Sequence, residues 1–344
     1  MSDKAAGAEI SEIAIVDMGP LSDGDAAGQQ AVAAALRHAL ETAGFLILTN
    51  HGIPQDLIKR TFAEAERFHN QPMEAKHALL MNEHSNGYMA MNRYNVRTSR
   101  VSESSAKPDR NEAFFLKRER SPDDPLVKAG RRFAGPNEWP DNLPGFKETV
   151  LEYTGAVEAM TQRLLPALAV SLDLPKDGFS DAFAECMFTF RLSHYPPVPA
   201  HEAGQYGIAP HTDASFMTFL PQSGVPGLQI RVGEDKWLDV PYVPNSFVVN
   251  AGDTLQRWTN GRYKSTPHRA LPPIGERRYA IPYFLAPHLD TVIDCLPSCQ
   301  SPENPPQYPP IAYSDSLAWW YDRNYNTDDQ ADLAKDHAAL QTNA

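Results

Sequence analysis

Cysteine is scarce in this sequence: the 344 residues include three, Cys186, Cys295 and Cys299. A small, odd number of cysteines excludes the disulfide framework of a small secreted scaffold. Cys295 and Cys299 have the spacing of half a zinc site, but no second pair or nearby histidine completes four ligands. We therefore expect ordinary thiols at all three positions.

Long apolar runs and an excess of positive charge are also lacking. No segment approaches the roughly 20 apolar residues of a membrane span, and residues 1–9 lack the basic and apolar regions of a signal peptide. With 31 Lys and Arg against 43 Asp and Glu, the net charge of −12 disfavours a nucleic-acid surface. We expect a cytoplasmic monomer or weak homo-oligomer that binds a small molecule, with no nucleic-acid or membrane partner.

Helical patterns come first along the chain and strand patterns later. Apolar residues at helical spacing predict helices over residues 26–43, 54–68 and 143–172, with a strand at 45–48 after the first. Short β-branched and aromatic runs separated by turns predict strands over residues 189–195, 216–220, 227–232, 237–240 and 278–284. This order predicts an α+β fold whose core is an antiparallel double-sheet barrel of the jelly-roll kind, a double-stranded β-helix, flanked by N-terminal and central helices.

The same patterns divide the chain into three segments within one compact unit. A chain of this length with 42% hydrophobic residues can bury a sizeable core. We expect an N-terminal helical and strand region with a substrate loop (1–140), a jelly-roll core with a leading helix (141–325) and a C-terminal tail (326–344).

His211 and Asp213 stand two residues apart, with His268 further along the chain. On an extended strand the side chains of His211 and Asp213 point to the same face and can bind one ion. Two imidazoles and one carboxylate cover one face of a divalent cation and leave the other open, which is the ligand preference of non-haem Fe(II) oxygenases. The spacing therefore predicts an iron site, although an isolated His-x-Asp more often marks a loop or a capped helix.

His268 must come from another strand. Residues 246–259 are rich in β-branched and aromatic types, and Asn260-Gly261 is a strong two-residue hairpin signal. We therefore predict a hairpin over 246–271 that returns His268 beside His211 and Asp213.

Arg278 begins a run of strand formers, RYAIPYF, that ends before Pro287. A guanidinium can hold a small carboxylate by two parallel hydrogen bonds. A 2-oxo acid that chelates iron through its keto acid end needs such an anchor at its far carboxylate. Arg277, beside Glu276, fits better as a surface charge pair.

These residues lie in a chain that resembles the 2-oxoglutarate- and Fe(II)-dependent oxygenases of the isopenicillin N synthase-like group. The resemblance covers about residues 12 to 325 and rests on several ordered segments. They are 44–54 (GFLILTNHGIP), 71–76 (QPMEAK) with 87–88 (GY), 191–197 (RLSHYPP), 209–214 (APHTDA), 250–253 (NAGD), 260–269 (NGRYKSTPHR) and 278–284 (RYAIPYF).

The resemblance implies roles for particular residues. It makes His211, Asp213 and His268 the iron ligands, which are also the catalytic centre, and places Arg278 on the distal carboxylate of 2-oxoglutarate. Tyr195 matches a position that often hydrogen-bonds this cosubstrate. Two departures concern the cosubstrate: Ala280 replaces the serine of the family's Arg-x-Ser, and Ser193 replaces an asparagine two residues before the tyrosine.

Candidate substrate contacts come from two places. Arg191, Ser193 and Tyr195 share one strand face, so an inward Arg191 either meets a substrate carboxylate or pairs with an internal acid. The polar segment 88–110 carries Arg93, Tyr94 and Arg97, and it predicts either a basic lid over the barrel mouth or a solvated loop.

Three functions stay open on the sequence. The resemblance favours an oxygenase that uses Fe(II), 2-oxoglutarate and O₂ to hydroxylate, desaturate or cyclise a small metabolite, releasing succinate and CO₂. An oxidase like isopenicillin N synthase, whose substrate supplies all electrons, is favoured by Ala280 but not by Arg278. A non-catalytic metal-binding jelly roll is the third.

Overall fold

A computed structural model describes residues 12–22, 25–91, 107–233 and 236–325 of the chain. In these ranges the α-helices are α1 (Ala26–Thr42), α2 (Gln55–His69), α3 (Met73–His77), α4 (Pro125–Lys128), α5 (Phe146–Ser171), α6 (Ser180–Phe183), α7 (Asp253–Trp258) and α8 (Tyr313–Tyr325). Single 3₁₀ turns lie at Gly19–Leu21 and Pro297–Cys299. The strands are β1 (Ala14–Asp17), β2 (Phe45–Thr49), β3 (Gly87–Met89), β4 (Glu112–Lys117), β5 (Met187–Tyr195), β6 (Ile208–His211), β7 (Met217–Pro221), β8 (Leu228–Arg231), β9 (Trp237–Asp239), β10 (Phe247–Ala251), β11 (His268–Ala270), β12 (Arg278–Ala280), β13 (Tyr283–Ala286), β14 (Val292–Ile293) and β15 (Ile311–Ala312).

The largest sheet has nine strands. Eight follow the order β1-β2-β10-β7-β13-β5-β4-β3, and β12 pairs with the remaining end of β5. A second sheet has the order β6-β11-β8-β9, and β14 pairs with β15. Strands from residues 1–140 therefore lie in the same sheet as β5, β7 and β10. The division of the chain at residue 140 stays a prediction.

The two large sheets pack face to face. Phe45 and Val248 of the nine-stranded sheet share a buried cluster with Ile230 of the four-stranded sheet. On the outer face of the nine-stranded sheet, α5 packs against α1 and α2, and α2 contacts β5. This arrangement is an α+β fold with a jelly-roll core, as the strand spacing predicts.

The predicted helices begin and end close to the observed ones. α1 begins after Asp25, whose carboxylate accepts hydrogen bonds from the backbone N–H groups of Ala27 and Gly28. α5 continues through Pro166. Across the described ranges, no helix combines the length and apolar character that crossing a bilayer demands.

The predicted hairpin over 246–271 is wrong. β10 ends at Ala251 and α7 follows almost at once, so β10 and β11 lie in different sheets. Leu255 and Trp258 of α7 are buried, and the Trp258 ring lies 5.8 Å from that of Phe216. Burial of an aromatic side chain outweighs the local strand propensity of this segment.

Asn260 and Gly261 end the helix instead of forming a hairpin turn. Their φ angles are 52° and 81°, and the Gly261 N–H donates to the carbonyl of Gln256 at 2.8 Å. Two left-handed residues that satisfy the last carbonyls are typical of a helix C-terminus. The Asn-Gly pair therefore does mark a turn, but this turn ends α7 and does not connect two strands of a hairpin.

Candidate metal centre and its two cavities

His211, Asp213 and His268 converge inside the barrel. His211 ends β6 and lies directly opposite His268 on β11. Asp213 Oδ1 is 3.7 Å from His211 Nε2 and 3.6 Å from His268 Nε2. The two imidazole rings are 4.3 Å apart between centroids. The sheet thus brings together three metal-ligating atoms, although the hairpin predicted to do so does not exist.

Backbone carbonyls orient both imidazoles. His211 Nδ1 is 2.8 Å from the carbonyl of Ala209, and His268 Nδ1 is 3.1 Å from that of Thr266. A carbonyl can only accept, so we assign the proton to Nδ1 in each ring. This tautomer leaves on each Nε2 a lone pair that can coordinate a metal ion.

Asp213 presents one oxygen to the same point. Its Oδ2 accepts hydrogen bonds from Thr218 Oγ1 at 2.6 Å and Asn250 Nδ2 at 2.8 Å. Oδ1 is therefore the oxygen that faces the imidazoles. Thr218 and Asn250 orient this carboxylate, and the sequence patterns did not identify either role.

Gly252 allows the chain to pass close to this carboxylate. A Cβ at this position would lie 2.0 Å from the carbonyl oxygen of Ser215 and 2.9 Å from that of Asp213. The next residue, Asp253, donates its N–H to the Asp213 carbonyl at 2.7 Å. The Asn-Ala-Gly-Asp segment therefore fixes the backbone of Asp213 as well as its side chain.

Electrostatics favour the ligating states of His211 and Asp213. Burial, and then the neighbouring His268, lower the pKa of His211 to about 3. Burial alone would raise the pKa of Asp213, but His268, His211 and Asn250 outweigh it and hold this pKa below the usual range. Burial lowers the pKa of His268, but Asp213 outweighs burial and raises it. At neutral pH Asp213 is thus ionised and His211 neutral, as cation binding requires.

The first cavity, which we call the barrel cavity, holds the predicted cosubstrate residues. Arg278, Ser193 and Tyr195 line it together with all three members of the centre. The Arg278 guanidinium stacks on the Tyr195 ring at 4.8 Å, and its Nε and Nη1 are buried without a hydrogen-bond partner in the described ranges. A buried charge with unused donors fits an anionic ligand.

Ser193 lies directly opposite Ala280 in the pairing of β5 with β12. Its hydroxyl is fully buried and has no hydrogen-bond partner in the part of the chain that is described. Both residues line the barrel cavity. Ser193 on β5 therefore places a hydroxyl beside Ala280 on β12, where the family's serine hydroxyl is missing.

The second cavity, which we call the α8 cavity, shares His211, Asp213, Arg191 and Phe284 with the barrel cavity. Its wall includes Arg191 of β5 and four side chains of α8: Tyr313, Leu317, Trp320 and Tyr321. Arg191 Nη2 donates to Asn111 Oδ1 at 2.5 Å. No sequence pattern described above indicates that α8 lies beside the centre. Arg93, Tyr94 and Arg97 lie outside the described residues.

Asp109 is a further buried acid close to Arg191. Its Oδ1 accepts a hydrogen bond from the backbone N–H of Ala209 at 2.9 Å. Burial raises the pKa of Asp109 to about 7, against the opposing effects of Ala209 and Arg191. No sequence pattern pointed to this acid, because it lies within the polar segment 88–110, which has no apolar periodicity.

A second histidine and carboxylate cluster lies on the opposite face of β5. Both His194 Nδ1 and His69 Nδ1 face Glu112 Oε1, at 2.8 Å and 3.5 Å. Glu112 Oε2 accepts hydrogen bonds from Lys76 Nζ at 2.8 Å and from the Tyr88 hydroxyl. Burial favours protonation of Glu112, but His194, His69 and Lys76 outweigh it and keep its pKa well below the usual range.

Two family models match the chain. The 2OG-Fe(II) oxygenase superfamily matches residues 184–287. The N-terminal model of non-haem dioxygenases in morphine synthesis matches residues 13–142.

Named relatives match over nearly their full length. A 2-oxoglutarate-Fe(II) type oxidoreductase, hxnY of Emericella nidulans, is 35% identical over 90% of this chain and 90% of its own. A flavonol synthase/flavanone 3-hydroxylase of Arabidopsis thaliana is 29% identical over 88% of this chain and 84% of its own. The crystal structure of a full-length Neurospora crassa protein in complex with alpha-KG superposes with a TM-score of 0.77 at 29% identity, covering 89% of this chain and 95% of that one.

Proposed function

Since the chain belongs to the 2-oxoglutarate- and Fe(II)-dependent oxygenases, we propose that His211, Asp213 and His268 hold its iron. The observation that carries this proposal is the convergence of two Nε2 atoms and one Oδ1 atom at one point, with every other polar atom of those side chains already bound. Two imidazoles and one carboxylate form the facial set of non-haem iron oxygenases.

The protein is a dioxygenase that uses Fe(II), 2-oxoglutarate and O₂ to oxidise a small-molecule metabolite. When bound, the iron supplies the activation of O₂ that couples loss of CO₂ from 2-oxoglutarate to oxidation of the substrate. For hydroxylation the balance is R–H plus 2-oxoglutarate plus O₂ giving R–OH, succinate and CO₂. Desaturation and ring closure use the same centre, and the choice depends on substrate placement.

Arg278, Ser193 and Tyr195 are proposed to hold 2-oxoglutarate in the barrel cavity. Arg278 offers Nε and Nη1 to a carboxylate as a fork, and the Tyr195 ring keeps the guanidinium in place. Ser193 supplies the hydroxyl that Ala280 lacks. The far carboxylate of the cosubstrate is thereby neutralised in a buried cavity, which leaves its keto acid end free to face the centre.

The chain's own residues therefore bind and orient the reactants. Thr218 and Asn250 keep Asp213 from turning, and the carbonyls of Ala209 and Thr266 keep the imidazoles from turning. The buried walls of the barrel cavity exclude water from the cosubstrate side.

The test is a titration of Fe(II) into the metal-free protein under anaerobic conditions. We expect one iron per chain, followed by an absorption band when 2-oxoglutarate is added and by succinate formation when O₂ is admitted. An iron stoichiometry that survives replacement of His268 by alanine contradicts the ligand assignment.

The remaining expectations are proposals of the same kind. We propose a cytoplasmic monomer or weak homo-oligomer that does not bind nucleic acid; the net charge of −12 supports the last of these points. Light scattering of the purified chain and a nucleic-acid retention assay at low salt test them.

A further inference from the structure

We propose that the substrate is a flat ring compound with one carboxylate group, bound in the α8 cavity with the carboxylate on Arg191. This inference rests on the proposed function, because it assumes that iron lies between the two cavities. It names the class of substrate that the proposed oxygenase oxidises.

The two cavities meet at the metal centre. His211, Asp213, Arg191 and Phe284 line both cavities, whereas His268, Arg278 and Tyr195 line only the barrel cavity. A ligand in the α8 cavity therefore approaches the iron past His211 and Asp213, while 2-oxoglutarate is placed on Arg278 in the barrel cavity. The α8 cavity is thus the place for the molecule that is oxidised.

The walls of the α8 cavity are largely aromatic. Phe115 of β4 and Phe284 of β13 face Tyr313, Trp320 and Tyr321 of α8. The space between these side chains, about 550 Å³, includes a part that is open to solvent. Aromatic faces gain most from another flat ring, through stacked or edge-to-face contacts.

Arg191 supplies a positive charge to this aromatic wall. Among the described residues that line the α8 cavity, Arg191 is the one arginine or lysine, and it also lines the barrel cavity. Asn111 Oδ1 accepts from its Nη2 at 2.5 Å, and its guanidinium lies 5.1 Å from the Phe115 ring centroid. These two contacts are with neutral groups and orient the guanidinium, which also interacts electrostatically with the buried Asp109. A preorganised guanidinium favours a carboxylate over a neutral amide of the same shape.

The experiment uses the iron- and 2-oxoglutarate-loaded protein under anaerobic conditions. Its probes are benzoate, 1-naphthoate and 2-naphthoate, each paired with its carboxamide, and cyclohexanecarboxylate as a ring that is not flat. Binding is read as the change in the 2-oxoglutarate absorption band, and stimulated succinate release after O₂ is admitted confirms that the ligand reaches the reactive side.

We expect at least one aromatic acid to bind at least tenfold more tightly than its amide and more tightly than cyclohexanecarboxylate. Arg191→Gln should remove the difference between acid and amide, and Arg191→Lys should restore part of it. Trp320→Leu should weaken acid and amide alike and leave their ratio unchanged. Arg277→Gln removes an exposed arginine outside both cavities and serves as the matched control.

Three results overturn the inference: no probe binds, amides bind as tightly as acids, or Arg191→Gln weakens 2-oxoglutarate and not the ring acid. Failure of the proposed function is distinct, because it would appear before any probe is added. The protein would then not take up one iron, show the absorption band or release succinate from 2-oxoglutarate.

Discussion

Two buried clusters in this protein have the same composition, two histidines and one carboxylate, and lie on opposite faces of β5. In the barrel, the spare atoms of His211, Asp213 and His268 are bound to neighbouring groups, so three ligating atoms remain directed at one point. Behind the strand, Glu112 gives both of its oxygens to protein donors.

The difference teaches that side-chain composition does not decide whether a cluster binds metal. Both clusters place their candidate ligand atoms within 4.8 Å of one another. The Lys76 ammonium already neutralises Glu112, whereas Asp213 receives hydrogen bonds from the neutral Thr218 and Asn250. A cation would find an uncompensated carboxylate only in the barrel. We therefore expect iron in the first cluster and a structural polar network in the second.

The largest expected effect separates the clusters directly. His211→Ala, Asp213→Ala and His268→Ala should each abolish stoichiometric Fe(II) binding and succinate formation, because two fixed donors do not hold a divalent ion tightly. Circular dichroism should show that the fold survives. His194→Asn is the matched change in the other cluster and should keep one iron per chain. If it lost iron instead, the two clusters would be coupled.

Glu112→Gln should destabilise the fold without changing iron stoichiometry. The change leaves the buried Lys76 ammonium without its counter-charge, at a cost of about 3–5 kcal/mol in the free energy of unfolding. Urea denaturation of the metal-free protein measures this cost. The double variant with Lys76→Met should recover part of it, because no unpaired charge then remains. Equal stability of the single variant and the wild type would contradict this account.

The same pair should appear in the acid dependence of stability. The folded pKa of Glu112 lies below its ordinary value of 4.5, so this carboxylate stabilises the fold above about pH 4.5. That contribution decreases as the pH falls towards the folded pKa. Unfolding free energies measured at several pH values should therefore fall less steeply in Glu112→Gln than in the wild type below pH 4.5. Parallel curves would exclude the pair as a source of acid sensitivity.

On the barrel side, Arg278→Lys should weaken 2-oxoglutarate binding about tenfold while iron binding persists. Lysine keeps the charge but loses the planar fork, which removes one charge-assisted hydrogen bond of about 1.5 kcal/mol. Titration of 2-oxoglutarate into the anaerobic Fe(II) protein gives the dissociation constant. An unchanged constant would mean that the cosubstrate carboxylate lies elsewhere.

The smallest expected effect concerns the hydroxyl of Ser193, which lies opposite Ala280. Ser193→Ala should weaken 2-oxoglutarate by about 1 kcal/mol, a factor of several, and Ala280→Ser in that background should restore part of the affinity. The two positions are opposite each other, so a double-mutant cycle should show coupling. Additive effects would show that the two hydroxyl positions act independently.

Much of the fold could be predicted because its signals are local. Apolar periodicity places α1, α2 and α5 within a few residues, and β-branched runs place most of the barrel strands. The segment after β10 failed for a physical reason. Its β-branched and aromatic residues suit a strand locally, but burial of Leu255 and Trp258 against distant aromatic residues favours a helix.

The candidate site shows the same division. The spacing of His211 and Asp213 and the strand around Arg278 are local signals, and these residues do lie together. Asn250 and Asp109 were missed because their hydrogen bonds join segments that are distant in sequence. Thr218 lies five residues from Asp213, but no local pattern marks its hydrogen bond to that carboxylate. Likewise, tertiary packing determines that α8 lies beside the metal centre.

The position of α8 along the chain has a consequence for how this enzyme can diverge. The superfamily model ends at residue 287, whereas α8 begins at Tyr313. The metal centre and much of the wall that we propose for the substrate are thus encoded by successive, non-overlapping stretches. Under this proposal, mutations or recombination in the later stretch can produce new specificities while the iron ligands are inherited unchanged, so libraries that seek new substrates can begin with α8.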